Sequence, residues 1–383
     1  MIDGEYDDQF VVDIFQTGSG TSTNMNTNEV ISNVAISGLG GELGSRDPVH
    51  PNDHVNKGQS SNDVIPTAIH LAAAGAIKER LLPAMKELED ALRAKSEEFW
   101  PIVKTGRTHL QDATPIRLGQ EFSGYVGQLE YGRERANKAL AELSVLAIGG
   151  TAVGTGIGMH PEFADRMIGK LKEMTGLDLS ETANHFQSQS SLDAVVEASG
   201  SLKTIAVSLM KIANDIRWLG SGPRAGIGEI TLPEVQPGSS IMPGKVNPVI
   251  AESVTMVSAQ VIGNDATIAV AGQSGNFEIN VMMPVAAYNL LQSIDLLANT
   301  CENFSRQCIS GLVATTKGPD MVEQGLAICT ALAPVIGYDS AAAIAHEASE
   351  TGETIKEVSL RVTDLTAAQL DEILEPSAMT EPS

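Results

Sequence analysis

Residues 195–219, VVEASGSLKTIAVSLMKIANDIRWL, contain the pattern from which the fold class follows. Apolar residues recur there at seven-residue intervals in two interleaved series. The first series is Val195, Leu202, Leu209 and Ile216, and the second is Ala198, Ile205, Ile212 and Leu219. A heptad seam of this length is typical of a long helix packed lengthwise against other helices. The segment therefore predicts a helix bundle.

Other segments also carry helical signals. Apolar residues at helical spacing run from Ile77 to Leu92, where Pro83 is expected to kink or split the helix. A Thr-Pro or Asn-Pro pair can supply an N-cap followed by proline at the first helical position. We therefore expect helix starts at residues 114–115 and 247–248.

The helix from residue 114 should end near Leu146, and a last long helix is expected over residues 283–304. No stretch of the sequence shows sustained β alternation. The predicted fold class is all-α, with a long central helix bundle.

The composition divides the chain into three regions. Residues 1–65 are rich in Gly, Ser, Thr and Asn and are expected to form loops with short helices. Residues 66–305 hold the long helices. Residues 306–383 carry shorter helical patterns and predict a small C-terminal helical domain.

The chain is strongly acidic, with 48 acidic and 25 basic residues and a net charge of −23. Such a charge repels the phosphate backbone, so nucleic acid is not an expected partner. An anionic substrate would be repelled as well. A site for one would therefore need its own local positive potential.

The three cysteines, Cys301, Cys308 and Cys329, form no C-x-x-C pair, and their odd number argues against a disulfide framework. The N-terminus shows neither the basic start nor the apolar run of a secretory signal. No uninterrupted apolar run is long enough to span a bilayer. We expect a cytoplasmic protein with no membrane partner.

Four polar segments interrupt the helical pattern. They are residues 16–29 (QTGSGTSTNMNTNE), 50–63 (HPNDHVNKGQSSND), 106–115 (GRTHLQDATP) and 237–252 (PGSSIMPGKVNPVIAE). The first offers many neutral donors for carboxylate oxygens, although its composition alone is more typical of a surface loop. The fourth combines glycines, prolines, two serines and a lysine, which is typical of a mobile loop that closes on a ligand.

The second and third segments contain histidines. His50 and His54 flank Asp53, but they lack a third ligand and a helix face, so no metal is expected. Residues 60–62 precede a helix start, whose free N–H groups favour an anion. His109 stands in a short polar turn and could act as a general acid or base, although a lone histidine is more often structural.

Taken together, these segments resemble the fumarase/aspartase superfamily. Residues 238–252, GSSIMPGKVNPVIAE, resemble its signature loop, and the likeness extends in order over nearly the whole chain. Two details resemble the class II fumarases in particular. Similar aspartases have Gln where His109 stands, and they tend to have Ser-Thr-Asn where this chain has Ser-Ser-Asn at residues 60–62.

The resemblance implies a hydro-lyase that catalyses the reversible anti hydration of fumarate to L-malate. It implies Ser239 as the base, His109 as the acid partner and Glu252 as the residue that orients His109. The implied substrate-binding residues are Ser19, Gly20, Thr21, Ser60, Ser61, Asn62, Thr108, Ser240, Lys245 and Asn247.

The resemblance also implies a homotetramer with composite active sites and no metal or organic cofactor. A second, non-catalytic anion site is implied at His50, Asn52 and Asp53. Residues 44–48, GSRDP, are less basic than in many relatives, which weakens that expectation.

Family members usually have more chain ahead of the Gly-Ser-Gly-Thr loop, whereas 17 residues precede Gly18 here. On this basis residues 1–65 are expected to be a remnant of the N-terminal domain that carries substrate-binding loops. Two alternative functions stay open from the sequence: ammonia elimination from aspartate, and a non-catalytic member of the fold.

Overall fold

Helices form most of residues 2–382, which are the residues described by this computed structural model. The α-helices of this range are α1 Thr21–Gly38, α2 Ser61–Ala76, α3 Leu82–Glu98, α4 Leu118–Leu143, α5 Phe163–Thr175, α6 His185–Ser190, α7 Asp193–Leu219, α8 Val249–Gly272, α9 Met283–Gln307, α10 Lys317–Val322, α11 Ala333–Ile336, α12 Tyr338–Thr351, α13 Ile355–Val362 and α14 Ala367–Ile373. Pro51–Val55 and Ile77–Leu81 are π-helical, and 3₁₀ turns lie at Asp7–Gln9, Ile309–Gly311, Leu326–Leu332 and Pro376–Thr380.

Short strands pair two by two. They are β1 Val103–Thr108, β2 Gln111–Arg117, β3 Val145–Leu146, β4 Ser180–Glu181, β5 Ile230–Thr231, β6 Gly275–Asn276, β7 Ile279–Asn280 and β8 Val313–Ala314. The pairs β1–β2, β5–β8 and β6–β7 are antiparallel, and β3–β4 is parallel. Among the described strands, β1 and β2 are the longest pair, with six and seven residues.

The heptad seam lies along α7, as predicted. Its eight residues are all buried, and the most exposed of them is Leu219 at 4%. Buried apolar residues also line α3, α4, α8 and α9. The all-α fold with long helices is therefore confirmed.

The chain divides into two compact units. Unit 1 comprises the residues up to Lys86, Tyr131–Leu209 and Met256–Cys301. Within it, polar contacts join three long helices. Asp265 of α8 accepts hydrogen bonds from Ser199 and Lys203 of α7 at 2.8 and 2.6 Å, and Asn264 donates to Ser293 of α9 at 3.0 Å.

Unit 2 comprises Glu87–Glu130, Met210–Thr255 and the residues from Glu302 onward. Phe99, Phe122 and Tyr125 pack edge to face, with ring centroids 5.1 and 5.4 Å apart. The Tyr125 hydroxyl donates to Asp215 at 3.0 Å. A guanidinium from α9, that of Arg306, pairs with both oxygens of Glu87.

The C-terminal residues of unit 2 have an apolar cluster of their own. Ile328, Leu332, Ile344, Val358 and Leu370 are all buried in it. Capping boxes begin two of the helices that line this cluster, with Thr354 starting α13 and Thr366 starting α14. The three-way domain division expected from the sequence stays a prediction.

The helix predicted to start at residues 114–115 is wrong. Thr114 and Pro115 lie in β2, and α4 begins at Leu118 and ends at Leu143. The strand sequences VKTGRT and QDATPIR carry no alternating apolar pattern, and the strand register shifts between Thr105 and Arg107. This region therefore contains strands that the sequence pattern does not indicate.

Three other helical predictions are refined. Around Pro83 the helix splits into α2, a π-helical segment and α3, as expected for a proline inside a helical pattern. The loop-rich region before residue 66 holds a longer helix than expected, since α1 has 18 residues. The helix expected from residues 247–248 begins at Val249.

Among the described helices, α8 alone has the length and apolar composition needed to cross a membrane. Glu252, Asn264 and Asp265 interrupt its apolar character. Asn264 and Asp265 bond to neighbouring helices of unit 1, which is typical of a helix inside a bundle.

Candidate active site

Two helix N-termini meet in unit 1. Gly20 is the N-cap of α1 and Ser60 is the N-cap of α2. The Thr21 hydroxyl lies 2.8 Å from that of Ser19 and 2.7 Å from that of Ser61, so a chain of hydroxyls joins the two helix starts. The positive dipole ends of both helices favour a carboxylate here, although the Ser60 hydroxyl accepts the Asn62 N–H at 3.2 Å and Gln16 accepts the Thr23 N–H at 2.9 Å.

Close packing explains the glycine at this junction. Gly20 has φ +73, and a Cβ there would lie 2.8 Å from the Ile65 side chain. A larger residue would force α1 away from α2 and break the Thr21–Ser61 contact. The structure thus brings together Ser19, Gly20, Thr21 and Ser61, which the sequence predicted as binding residues from two separate segments.

A buried carboxylate holds the start of α2 in place. Asp63 is 0% exposed. Its Oδ1 accepts the Ser60 N–H at 3.2 Å, and its Oδ2 accepts the N–H groups of Gly149 and Thr151 at 3.0 Å each. The amide of Asn62 donates to the Ala152 carbonyl at 2.7 Å. The glycine-rich turn at residues 149–152 therefore supports residues 60–62.

The histidine pair near residue 50 acts as a local cap. His50 Nδ1 accepts the N–H groups of Asn52 and Asp53 at 3.2 Å each, and His54 Nδ1 accepts the His50 N–H at 2.8 Å. Both Nδ1 atoms are therefore acceptors. Among residues 2–382, no three His, Cys, Asp or Glu side chains form a cluster that could hold a metal ion.

The Ser239 hydroxyl accepts two backbone N–H groups, those of Ile241 at 3.2 Å and Met242 at 3.0 Å. Two donors on one oxygen stabilise negative charge there, because they are fixed in place before a proton leaves. The loop that carries Ser239 is exposed from Ser240 to Val246. It is closed at its base, where the Gly238 N–H donates to the Lys245 carbonyl at 3.0 Å.

The end of this loop is tied to its beginning. Asn247 donates its amide to the Gly238 carbonyl at 2.6 Å, just before α8 begins at Val249. Lys245 is exposed, so its ammonium is free to meet an anion. Ser239, Ser240, Lys245 and Asn247 therefore share one short loop with a fixed neck.

His109 lies at the tip of the β1–β2 hairpin, in the two-residue turn between Thr108 and Gln111. His109 and Leu110 have φ values of 55 and 60. This conformation costs about 1 kcal/mol or more for each non-glycine residue. Thr108 and His109 are exposed, so the hairpin presents both side chains outward.

Ion pairs hold the base of this hairpin. Arg107 Nη2 donates to Glu229 Oε1 at 2.7 Å, and Lys104 Nζ lies 2.9 Å from Glu229 Oε2. Burial lowers the pKa of Arg107, but the hydrogen bond and charge of Glu229 outweigh it and raise that pKa above its ordinary value. Arg107 is therefore a permanent cation beneath the tip.

The two units hold different parts of the predicted site. Ser19, Gly20, Thr21 and residues 60–62 belong to unit 1, whereas Thr108, His109, Glu252 and the Ser239 loop belong to unit 2. Within residues 2–382 of one chain, no hydrogen bond or ion pair joins His109 to Ser239 or to Glu252. The sequence patterns did not single out Asp63, Lys104, Arg107 or Glu229.

Comparison with known proteins shows the family. A family model described as Lyase matches residues 1–263, and one described as Fumarase C C-terminus matches residues 328–381. A protein of Neisseria meningitidis named fumarate hydratase class II is 53% identical over 383 residues, which cover 100% of this chain and 83% of that protein. The chain belongs to the class II fumarate hydratase family.

Two further comparisons support this family assignment. The human protein named fumarate hydratase, mitochondrial, is 52% identical over 383 residues, covering 100% of this chain and 75% of its own length. The crystal structure of a class II fumarase from Schistosoma mansoni superposes with a TM-score of 0.97 at 40% identity, covering 99% of this chain and 83% of that one. The family, fold and hydro-lyase class predicted from the sequence are confirmed.

Proposed function

We propose that this chain catalyses the reversible anti addition of water to fumarate, giving L-malate, with Ser239 as the base and His109 as its acid partner. The observation that carries the proposal is the pair of N–H groups on the Ser239 oxygen. A serine hydroxyl is a weak base at neutral pH, so its alkoxide must be stabilised before it can take a proton from carbon.

The reaction places extra negative charge on one substrate carboxylate when the carbon loses its proton. Lys245, on the same loop as Ser239, supplies a positive charge for that carboxylate, and Asn247 supplies an amide donor. Preorganised donors of this kind usually contribute more to the rate enhancement than any other single effect. Because both residues lie on the loop that carries the base, they would approach the substrate together with it.

The hydroxyls and helix starts of unit 1 suit the substrate dianion. Ser19, Thr21 and Ser61 form a connected group of neutral donors, and residues 60–62 begin a helix. Neutral donors and two helix N-termini can bind a dianion without a cluster of cations. This resolves the conflict between an acidic protein and an anionic substrate. Gly20, Asn62, Thr108 and Ser240 complete the proposed binding set.

The active sites are proposed to be composite, in a homotetramer. Val207, Trp218, Met256, Val270 and Tyr288 lie on α7, α8 and α9 and are exposed in a single chain. Several exposed apolar side chains on long helices favour association with other copies. Glu252 would then orient His109 across such an interface, since the two form no bond within one chain.

Two further expectations stay proposals. A second anion site at His50, Asn52 and Asp53 is supported by the exposure of Asn52 and Asp53. The N–H groups of these two residues already donate to His50 Nδ1. The cytoplasmic location stays a prediction, because the matched relatives include both bacterial proteins and proteins named as mitochondrial.

The test follows fumarate by its ultraviolet absorbance, with L-malate and with L-aspartate as substrates. We expect turnover of malate only, and a loss of about 100-fold to 10,000-fold in kcat for Ser239→Ala and for His109→Asn, as for removal of a general acid or base. Ser123→Ala and His346→Asn change exposed residues of unit 2 and should leave kcat unaltered. Faster turnover of aspartate, or full activity in either site variant, would contradict the proposal.

A further inference from the structure

Four charged side chains are grouped beneath the hairpin that carries His109. Lys104 is 1% exposed and Glu229 is 4% exposed. Lys104 Nζ lies 2.9 Å from Glu229 Oε2 and 3.1 Å from Glu121 Oε2. Arg107 Nη2 lies 2.7 Å from Glu229 Oε1. Each oxygen of Glu229 thus faces a different cation on one strand.

The hairpin is irregular between Lys104 and Arg107. Side chains three positions apart in a regular strand point to opposite faces, so Lys104 and Arg107 would diverge. In the structure both nevertheless reach Glu229, beside a register shift that leaves Ala113 and Thr114 of β2 opposite Gly106 of β1. A Cβ at Gly106 would lie 2.6 Å from the Thr114 carbonyl oxygen, so only glycine fits opposite the bulge of β2.

Glu229 itself is fixed by elements outside the hairpin. Its N–H donates to the Leu219 carbonyl at the end of α7, at 2.9 Å, and its carbonyl accepts the Thr315 N–H at 2.9 Å. The next residue, Ile230, begins β5, which pairs with β8. Glu229 therefore connects the hairpin to a rigid part of unit 2.

The tip of the hairpin has little other support. His109 is two residues beyond Arg107, is exposed, and has no side-chain hydrogen bond or ion pair within residues 2–382 of one chain. Its position is set by the strands below it. A shift at the base of β1 would therefore move His109 and Thr108 together.

We propose that Glu229 is a positioning residue that fixes the β1–β2 hairpin, and with it the imidazole of His109, for the reaction. This inference rests on the proposed role of His109. Glu229 is enclosed beneath the hairpin and does not need to touch the substrate. It acts by holding Lys104 and Arg107, and thereby the tip, in one place.

The first test measures kcat and KM for malate in Glu229→Gln. Losing the charge frees Arg107 and leaves Lys104 with Glu121 alone. A catalytic group displaced by about 1 Å costs on the order of 100-fold in rate, so kcat should fall by about that factor and more than KM rises. Glu87→Gln makes the same chemical change at an exposed ion pair of unit 2, with Arg306, and should leave kcat unaltered.

The decisive measurement is a double-mutant cycle with His109→Asn. If Glu229 acts through His109, then Glu229→Gln should cost little once His109 is absent, and the losses will not multiply. Arg107→Gln repeats the cycle with a residue that is 23% exposed, so the result does not depend on whether Glu229→Gln folds. Tetramer mass and the midpoint of thermal unfolding are measured for every variant.

The outcomes separate this inference from the proposed function. A slow His109→Asn variant whose loss multiplies with those of Glu229→Gln and Arg107→Gln would overturn the positioning role alone. A fully active His109→Asn variant would overturn the proposed role of His109 and this inference with it. Non-additive losses in folded variants would support both.

Discussion

Two buried carboxylates, Glu229 in unit 2 and Asp63 in unit 1, each hold a segment that carries proposed site residues. Glu229 is neutralised by the cations of Lys104 and Arg107. Asp63 has no cation and accepts three backbone N–H groups instead. The same chemical group is thus stabilised by charge in one place and by main-chain dipoles in the other.

The two kinds of stabilisation suit the two segments that the carboxylates hold, the β1–β2 hairpin and the start of α2. The hairpin is exposed at its tip and short, so charged side chains of opposite sign fix its base from outside. The start of α2 is already ordered by its helix, so Asp63 adds a capping contact to Ser60 and two bonds to the turn at residues 149–151. Replacing the two carboxylates should therefore affect different kinetic constants.

The largest effect in this comparison is expected for Asp63→Asn. An amide NH₂ would replace one acceptor oxygen, leaving at least one buried N–H without a partner. The free energy of unfolding should fall by about 3 kcal/mol, and KM for malate should rise because residues 60–62 move. Denaturant titration and steady-state kinetics measure the two effects.

Asp178→Asn makes the same change at a fully exposed position of unit 1 and serves as the control. An Asp63→Asn variant with unaltered KM and stability would show that backbone donors do not depend on this carboxylate. A fall in kcat alone would show that the two carboxylates act in the same way, against the comparison.

An intermediate effect is expected when Lys104→Met is added to Glu229→Gln. The single change leaves a buried ammonium with Glu121 as its one carboxylate, whereas an apolar replacement removes that charge. The double variant should regain about 1–2 kcal/mol of stability but not kcat. Recovery of kcat together with stability would mean that the charges maintain the fold and do not position the tip.

The smallest effect is expected in the pH dependence of stability, through His70 of α2. Burial lowers the pKa of His70, and its ring nitrogen lies 2.7 Å from the Val145 carbonyl. The unfolded chain, with a pKa near 6.5, then binds the proton more readily than the folded chain. Stability should therefore fall as the pH drops through 6.5 and should level off once the folded chain is protonated as well.

His70→Asn keeps a donor for Val145 but has no titrating ring, so it should flatten this part of the pH profile. Denaturant unfolding between about pH 7.5 and 5.5, on either side of the ordinary histidine pKa, compares the two chains. A variant that keeps the full pH dependence would assign it to other groups.

The features that the sequence predicts correctly are those with a local or periodic signal. The α7 seam is visible because buried positions repeat along one helix, from Val195 to Leu219. The Ser239 loop is visible because its glycines, prolines and serines stand together. Asp63, which the sequence analysis did not select, also has a local signal, since it stands three residues after Ser60, as in a capping box.

The features that the sequence does not reveal depend on distant partners. In place of the β1–β2 hairpin the sequence predicts a helix start, because Thr114-Pro115 is a good helix-capping pair. Glu229 has no local signal, since its partner Arg107 is 122 residues away. Such a pair depends on the fold that brings the strand and the loop together.

Local patterns along the chain are enough to specify the long helices, the all-α class and the residues of the Ser239 loop, because heptad spacing, caps and loop composition act over a few residues. The position of His109, and the carboxylate that lies beneath it, follow from three-dimensional packing. Lys104 and Arg107 lie on either side of a register shift at Gly106, and both meet the carboxylate of Glu229, a residue far along the chain. Buried charges need partners of opposite sign nearby, and the folded chain alone fixes which ones they meet.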